Sequence, residues 1–436
     1  MKLDMKGGDG VWQTRPVAGA GTDASGPAHL HIPLAGDARG SSRSSSIMKI
    51  TKSALLAFAA AASASPTKRQ SPGACPSPVR LDASTNVWRQ YTLHPNSFYR
   101  SEVELAVQQI SDSSLASKAA KVADIGTFLW LDTIKNIERL EPALQDVPCD
   151  HIVGVVVYDL PGRDCAAKAS NGELKVGELN RYKTEFIDKI AEILKRYPNT
   201  AFALVIEPDS LPNLVTNIDL TSCQQSASGY REGVAYALRQ LNLPNVVMYL
   251  DAGHGGWLGW DSNLKPGAEE LAAVYKSAGS PSQLRGIATN VAGWNAWDLS
   301  PGEFSDRSDA QWNSCQNEKL YVEKFGAALR SAGMPNHAII DTGRNGVQGL
   351  RQEWGHWCNV NGAGFGIRPG ANTGVELADA FVWVKPGGES DGTSDTSAVR
   401  YDEFCGKPDA FKPSPEAGAW HQAYFEMLVR NANPPL

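Results

Sequence analysis

Residues 201–210 read AFALVIEPDS: six apolar residues from Ala201 to Ile206, then Glu207, Pro208 and Asp209 in immediate succession. An unbroken apolar run of strand length, with no polar residue at every second position, fits a strand covered on both faces, as in a parallel sheet beneath helices. Working outward, the same design recurs. Gly126–Leu131, His151–Leu160, Ala201–Glu207, Val246–Gly253, Leu284–Val291, Ala338–Arg344 and Ala380–Gly387 are candidate strands. Longer amphipathic stretches separate them. In Asn180–Pro198 the residues Tyr182, Phe186, Ile190, Ile193, Leu194 and Tyr197 recur at helical spacing, and Glu318–Gly333 carries a similar pattern. Such alternation predicts βαβ units and a parallel α/β sheet, and seven strands approach a closed, TIM-like barrel. No internal repeat is present.

Most of these runs end on a polar residue: Asp159, Glu207, Asp251, Asn290, Arg344 or Lys385. In parallel α/β folds the loops beyond the strands' C-terminal ends converge on one face, where sites collect. The acids that close the 201–210 stretch are therefore expected to be presented to a bound molecule.

The 436 residues, 42% hydrophobic, suffice for one large globular domain or two ordinary ones. Residues 1–47 are rich in Gly, Ser and Ala without apolar periodicity and read as a gene-model extension outside the fold. At Met48 a second beginning appears. Lys49 and Lys52 precede the apolar stretch Ala54–Ala62 and an Ala62-Ser63-Ala64 cleavage pattern, the layout of a secretory signal peptide too short to span a bilayer. Lys68-Arg69 reads as a propeptide site. Residues 48–69 are thus expected to be signal and propeptide, and 70–436 the folded domain of an extracellular protein.

Removing residues 1–69 takes away nine basic and four acidic side chains and deepens the formal charge from −6 to −11. That balance argues against nucleic acid and anionic membranes as partners. The seven cysteines, in a chain routed to an oxidising compartment, predict disulfides with at least one thiol left over, and none shows Cys-x-x-Cys spacing.

Two segments carry candidate chemistry. Residues 158–173 (YDLPGRDCAAKASNGE) and 205–210 (VIEPDS) each follow a buried strand, and each delivers an aspartate just past its end, Asp164 and Asp209. Carboxylates gathered in a partly desolvated cleft repel, so one keeps its proton to higher pH and can act as a general acid. Paired acids equip glycoside hydrolysis. The alternative is that these aspartates cap the following helices or form ion pairs, Asp164 with the adjacent Arg163. Tryptophans shift the balance: Trp130, Trp257, Trp260, Trp294, Trp297, Trp354 and Trp357 stand on the same edge, most of them among glycines and polar residues. Packing explains any one of them. Several on converging loops suit the flat C–H face of a pyranose ring.

Five stretches, VVYDLPGRDCAAKASNGE (156–173), LVIEPDSLPNLVTN (204–217), MYLDAGHGGWLGW (248–260), WCNVNGAGFGIRP (357–369) and FVWVKPGGESDGTSD (381–395), resemble glycoside hydrolase family 6, specifically its fungal cellobiohydrolases. The likeness extends from about Trp88 to the C-terminus. It implies a distorted seven-stranded parallel (β/α) barrel, with the active site in a loop-covered tunnel at the C-terminal strand edge. It further implies an inverting hydrolase of β-1,4-glucan that releases cellobiose from non-reducing ends, without metal or cofactor.

Carried over by motif, Asp209 is the general acid and Asp164 the carboxylate that keeps its proton in place. Asp391 is the candidate base or charge partner; an ion pair with Lys385 or Arg368 is the competing reading. A proton could also leave through a water chain touching Ser170. Tyr158 would lie under the distorted sugar, or else is a core tyrosine at a strand end. Trp130 and Trp357 would line the glycone side, and Trp257 and Trp260 the aglycone side. Lys385 and Glu389 would hydrogen-bond sugar hydroxyls. Asp251, His254 and Asn290 are placed in the cleft, with a structural hydrogen-bonding role as the alternative for the first two. The resemblance pairs Cys165 with Cys223 and Cys358 with Cys405; it leaves Cys75, Cys149 and Cys315 unassigned, a Cys75–Cys149 bridge being open.

Exo or endo action is decided by two long loops, and the stretch between Cys358 and Cys405 has full length by resemblance, which favours a tunnel. Departures from the pattern are Gly162, where related sequences often carry an acid, and Ser390, where many carry cysteine; both put loop rigidity in question. No cellulose-binding module fits between Gln70 and Trp88. The expected partners are cellulose and cello-oligosaccharides, and the protein is expected to be a monomer. The rival readings are an endo-β-1,4-glucanase of the same fold and a non-hydrolytic glucan-binding protein.

Overall fold

The structure, a computed structural model, describes residues 75–436. The expected signal peptide and propeptide, the extension before them and the first few residues after Lys68-Arg69 lie outside the described residues.

The sheet comprises β1 (Thr92–Leu93), β2 (Leu129–Leu131), β3 (His151–Val157), β4 (Ala201–Ile206), β5 (Val246–Asp251), β6 (Leu284–Thr289), β7 (His337–Asp341) and β8 (Ala378–Val382). All pairings are parallel, in the order β3-β4-β5-β6-β7-β8. The two short strands share the other edge of β3: β1 pairs with His151 and Ile152, β2 with Val155–Val157. Seven strands were expected and β1 is an addition, two residues long and without a periodic signature. The sheet curls until β2 nearly meets β8. Phe128 N–H donates to Trp383 O at 3.1 Å and Trp130 Nε1 to Val384 O at 2.8 Å, so seven parallel strands form a nearly closed barrel.

Alternate strand residues separate into two cores, as a pleated strand requires. Leu204, Ile206, Met248, Leu250 and Ile340 pack outward under the helices, whereas Ala203, Val205, Val247, Tyr249 and Ile339 fill the barrel. Burial on both faces is why the strands are apolar throughout. The interior is tight: a Cβ on Gly154 would lie 2.7 Å from the Phe128 ring.

The helical expectations hold. A continuous helical run covers Leu179 to Arg196 and buries Tyr182, Phe186, Ile190, Ile193 and Leu194. A second helix, Glu318–Ala332, starts with Asn317 accepting from Leu320 N–H and stops at Gly333 in the left-handed region.

The barrel floor is closed by a polar plug. Arg285 of β6 grips Asp379 of β8 through two 2.7 Å bonds, Tyr249 donates to Asp379 at 2.9 Å, and Trp88 Nε1 donates to Tyr249 at 3.0 Å. Cys75–Cys149, Cys165–Cys223 and Cys358–Cys405 are disulfides, which assigns the pair left open by resemblance and leaves Cys315 buried and free among the described residues.

Candidate active site

Of the polar residues expected to end the strands, Asp251 ends β5, while Asp159, Glu207, Asn290, Arg344 and Lys385 sit one to three residues beyond theirs, and the backbone turns sharply there. Glu207, Asp209 and Asn290 have φ of 48°, 57° and 57°, and Asp164 has 55°. Non-glycine residues rarely adopt this left-handed region, and such strain collects where surrounding structure holds a side chain in place for function.

Asp209 lies partly buried beyond β4. Its backbone N–H donates to Asp251 Oδ2 at 3.1 Å, and among the described residues no donor reaches its own carboxylate. The helix Leu211–Thr216 begins without a side-chain cap, so Asp209 does not cap it. Burial first, then the nearby Asp164 and Asp251 charges, push its carboxyl well above the ordinary range, against a smaller opposing pull from Arg163. The charged neighbour expected to raise this group is thus present but secondary to desolvation.

Asp164 is 3% exposed, and its Oδ2 accepts from Tyr158 Oη at 2.6 Å. Burial raises this carboxyl as well, but Arg163, Ser170, Tyr158 and Arg400 all draw it back down. The two acids thus differ in their surroundings: Asp164 accepts a hydrogen bond from Tyr158, and Asp209 has no donor among the described residues.

Arg163 does not make the ion pair with Asp164 that stood as the alternative reading. Its guanidinium lies 4.0 Å over the Tyr158 ring and donates to the carbonyls of Tyr158, Asp132 and Ser170, with Asp159 the near carboxylate at 3.8 Å. It thereby fixes Ser170 beside Asp164 through the backbone. Tyr158, capped edge-on by Trp130 at 5.3 Å, is buried against Asp164 rather than being a simple core tyrosine.

Asp251 is 2% exposed and accepts from both Asp209 N–H and Gly253 N–H through its Oδ2; burial pushes its carboxyl to about 7. Asp391 is engaged differently. Arg344 Nη1 grips both its oxygens at 2.9 and 2.8 Å, and Asn359 N–H donates at 2.8 Å. Its partner is thus neither Lys385 nor Arg368: Lys385 faces Glu389 at 3.4 Å, and Arg368 donates to Pro434 O and Pro435 O. Arg344 was visible in sequence as a strand-end residue, but its partner 47 positions on was not.

The tryptophans divide. Trp130, Trp257, Trp260, Trp354 and Trp357 are partly exposed. Each of the first three ties its indole N–H to protein, Trp130 to Val384 O, Trp257 to Thr216 Oγ1 and Trp260 to Gly256 O. Trp294 and Trp297 are core residues instead, 4% and 7% exposed, the first beneath the Arg344 guanidinium at 4.0 Å and the second edge-on to Phe381. Asn290 is likewise corrected: it is fully buried, donating to Asn295 O and Asp341 O and accepting from Asn295 N–H, so it braces the loop and has no face left for a ligand.

Two loops meet over this edge. Lys168 N–H, after β3, donates to Asp402 Oδ2 at 3.0 Å, and Gly392 packs so tightly on Ala169 that a Cβ would lie 2.8 Å from it. Each loop carries one of the disulfides, Cys165–Cys223 and Cys358–Cys405. The two departures noted in sequence fit locally. Gly162 has φ of 70° with Ser226 Oγ where a Cβ would be, and Ser390 Oγ bonds Asn359, Gly392 O and Pro415 O.

The sequence profile of Glycosyl hydrolases family 6 matches residues 88–432. A 1,4-beta-D-glucan cellobiohydrolase CEL6C of Podospora anserina is 74% identical over 399 residues, covering 89% of this chain and all of that protein. A putative endoglucanase type B of Fusarium oxysporum is 51% identical, covering 81% and 77%. The solved structure of cellobiohydrolase II (Cel6A) from Humicola insolens in complex with glucose and cellotetraose is 48% identical, with a TM-score of 0.76 over 81% of this chain and all of that one. The buried acids at the barrel mouth thus stand in a glycoside hydrolase, and the chain belongs to glycosyl hydrolases family 6.

Proposed function

We propose that the protein is a secreted cellulose 1,4-β-cellobiosidase that hydrolyses β-1,4-glucosidic bonds with inversion and releases cellobiose from non-reducing chain ends. The observation that carries this reading is the Asp209 carboxyl, partly buried without a donor beside Asp164 and Asp251 and held well above the ordinary carboxylate range. Such a group can protonate the leaving glycosidic oxygen. Asp164, hydrogen-bonded by Tyr158, would remain the charged partner and stabilise the oxocarbenium-like transition state. Trp130 and Trp357 would carry the glycone sugars, with Lys385 and Glu389 on their hydroxyls, and Trp257, Trp260 and His254 the aglycone side.

Asp391 is poorly suited to a general base while Arg344 Nη1 holds both of its oxygens, because proton uptake would break that buried ion pair. A water beside Ser170, relaying its proton through Asp164's surroundings, is the better candidate. The meeting of the two loops at Lys168 and Asp402 supports exo action, since a roofed cleft admits a chain by its end. The export reading rests on the residue 48–69 pattern and on the named cellobiohydrolases the chain resembles.

Proton NMR of the first product from cellotetraose tests the mechanism: the α-anomer is expected, and a β-anomer rejects inversion. Carboxymethyl cellulose tests the mode: slow viscosity loss with steady cellobiose is expected, and rapid viscosity loss with little cellobiose makes this an endoglucanase.

A further inference from the structure

Beneath His254 lies a polar relay, assembled from the loops after β5, β6 and β7 and the start of the helix Glu318–Ala332, that sequence reading did not connect. The Asn295 amide sits at its centre: its Nδ2 lies 3.0 Å from His254 Nδ1 and donates to Glu318 Oε1 at 2.7 Å, while its Oδ1 accepts from Arg351 Nη2 at 2.7 Å. Arg351 is itself clamped by Glu303, through Nη2 at 2.6 Å and its backbone N–H at 3.1 Å. Glu318, fully buried, also accepts from Gly255 N–H at 2.9 Å and Thr289 Oγ1 at 2.8 Å.

The chemistry of these partners fixes every proton. A guanidinium only donates, so the Asn295 carbonyl must face Arg351 and its NH2 must face His254 and Glu318. The backbone N–H of Gly256 donates to the same His254 Nδ1 at 3.1 Å. Two donors converge on Nδ1, which must therefore offer its lone pair and carry no hydrogen.

We propose that Asn295 is a positioning residue that locks His254 in the neutral tautomer with its proton on Nε2, so that the ring presents a hydrogen-bond donor to a sugar oxygen of the bound glucan. Among the described residues no acceptor occupies Nε2, and His254 remains partly exposed at the barrel mouth beside Trp257, 6.1 Å between ring centroids. A charged imidazolium would need a proton on Nδ1, which both donors oppose. Burial and then the Arg351 charge also lower its pKa to about 3, whereas Glu318 and Glu303, the acids of the relay, are occupied by Asn295 and Arg351. The identity of the sugar acceptor rests on the proposed function; the tautomer does not.

Nitrogen-15 NMR of the histidine-labelled wild-type chain, without substrate, reads the tautomer directly. A pyridine-type Nδ1 and pyrrole-type Nε2 for His254, unchanged down through the pH where ordinary histidines gain their second proton near about 6.5, are expected. A protonated Nδ1 in the wild type overturns the proposal, even if Asn295 variants fail to fold. In Asn295→Ala the two forms should mix and titration should return, with KM for cellotetraose raised about tenfold and kcat changed less than about threefold. A folded Asn295→Ala with an unaltered His254 spectrum would also overturn it.

Discussion

The two ends of the barrel bury charge in opposite ways. At the floor, Asp379 receives Arg285 twice and Tyr249 once, so a buried ion pair is met by enough donors to offset its desolvation. At the mouth, both oxygens of the fully buried Asp159 and one of Asp164 lack a hydrogen-bond donor, Arg163 standing 3.8 Å from Asp159, and Asp209 receives no donor at all among the described residues. Asp164, Glu207, Asp209 and Asn290 also lie at positive φ beside the mouth. The carboxylate at the floor is thus met by donors, whereas carboxyls at the mouth are left without them.

The sharpest way to break this contrast is to remove the proposed proton donor. Asp209→Asn should lower cellotetraose turnover by at least about 10³-fold with the melting temperature nearly unchanged, because a neutral isostere replaces a group without donors to lose. Retention of turnover would favour the glucan-binding reading. At the floor the effect should reverse: Asp379→Ala strands a buried guanidinium and should cost about 3–5 kcal/mol in denaturant unfolding, with kcat of the remaining folded enzyme preserved. If the floor variant lost activity before stability, the two ends would not be separable.

Acid groups at the mouth also set the pH response of stability. Burial pushes Asp159 to about 9 and Glu207 and Asp251 to about 7, above their unfolded values near about 4. A raised carboxyl favours the folded state while protonated, so this contribution is complete below about 4 and is lost as pH rises through about 7 to about 9. Melting temperature measured across that window should fall, and Asp159→Asn should flatten the upper part of the decline. The smallest expected effect concerns the roof. Asp402→Ala removes the acceptor for Lys168 N–H and should raise viscosity loss on carboxymethyl cellulose a few-fold relative to cellobiose release, by loosening one loop contact.

Most of the barrel was legible because strands covered on both faces must be apolar, and that pattern survives in sequence without knowledge of neighbours. Strand ends were read too long for the same reason: Glu207 and Asn290 continue the run in sequence, yet their positive φ takes them out of the ladder. Asp164 and Asp209 were legible as acids delivered just past apolar runs. Trp294 was not, because its glycine and asparagine neighbours suggest an open loop, whereas its cover comes from Arg344 and Tyr424, far along the chain. The Asn295 relay escaped for a similar reason, its partners Glu318 and Arg351 lying 23 and 56 positions away.

The central claim is that position 209 keeps its proton near neutrality. Infrared difference spectroscopy of the wild type against Asp209→Asn at about pH 6 reads this directly. A protonated-carboxyl band present in the wild type and missing from the variant is predicted. A carboxylate signal from Asp209 at that pH, titrating near about 4 as an exposed aspartate does, would contradict the account.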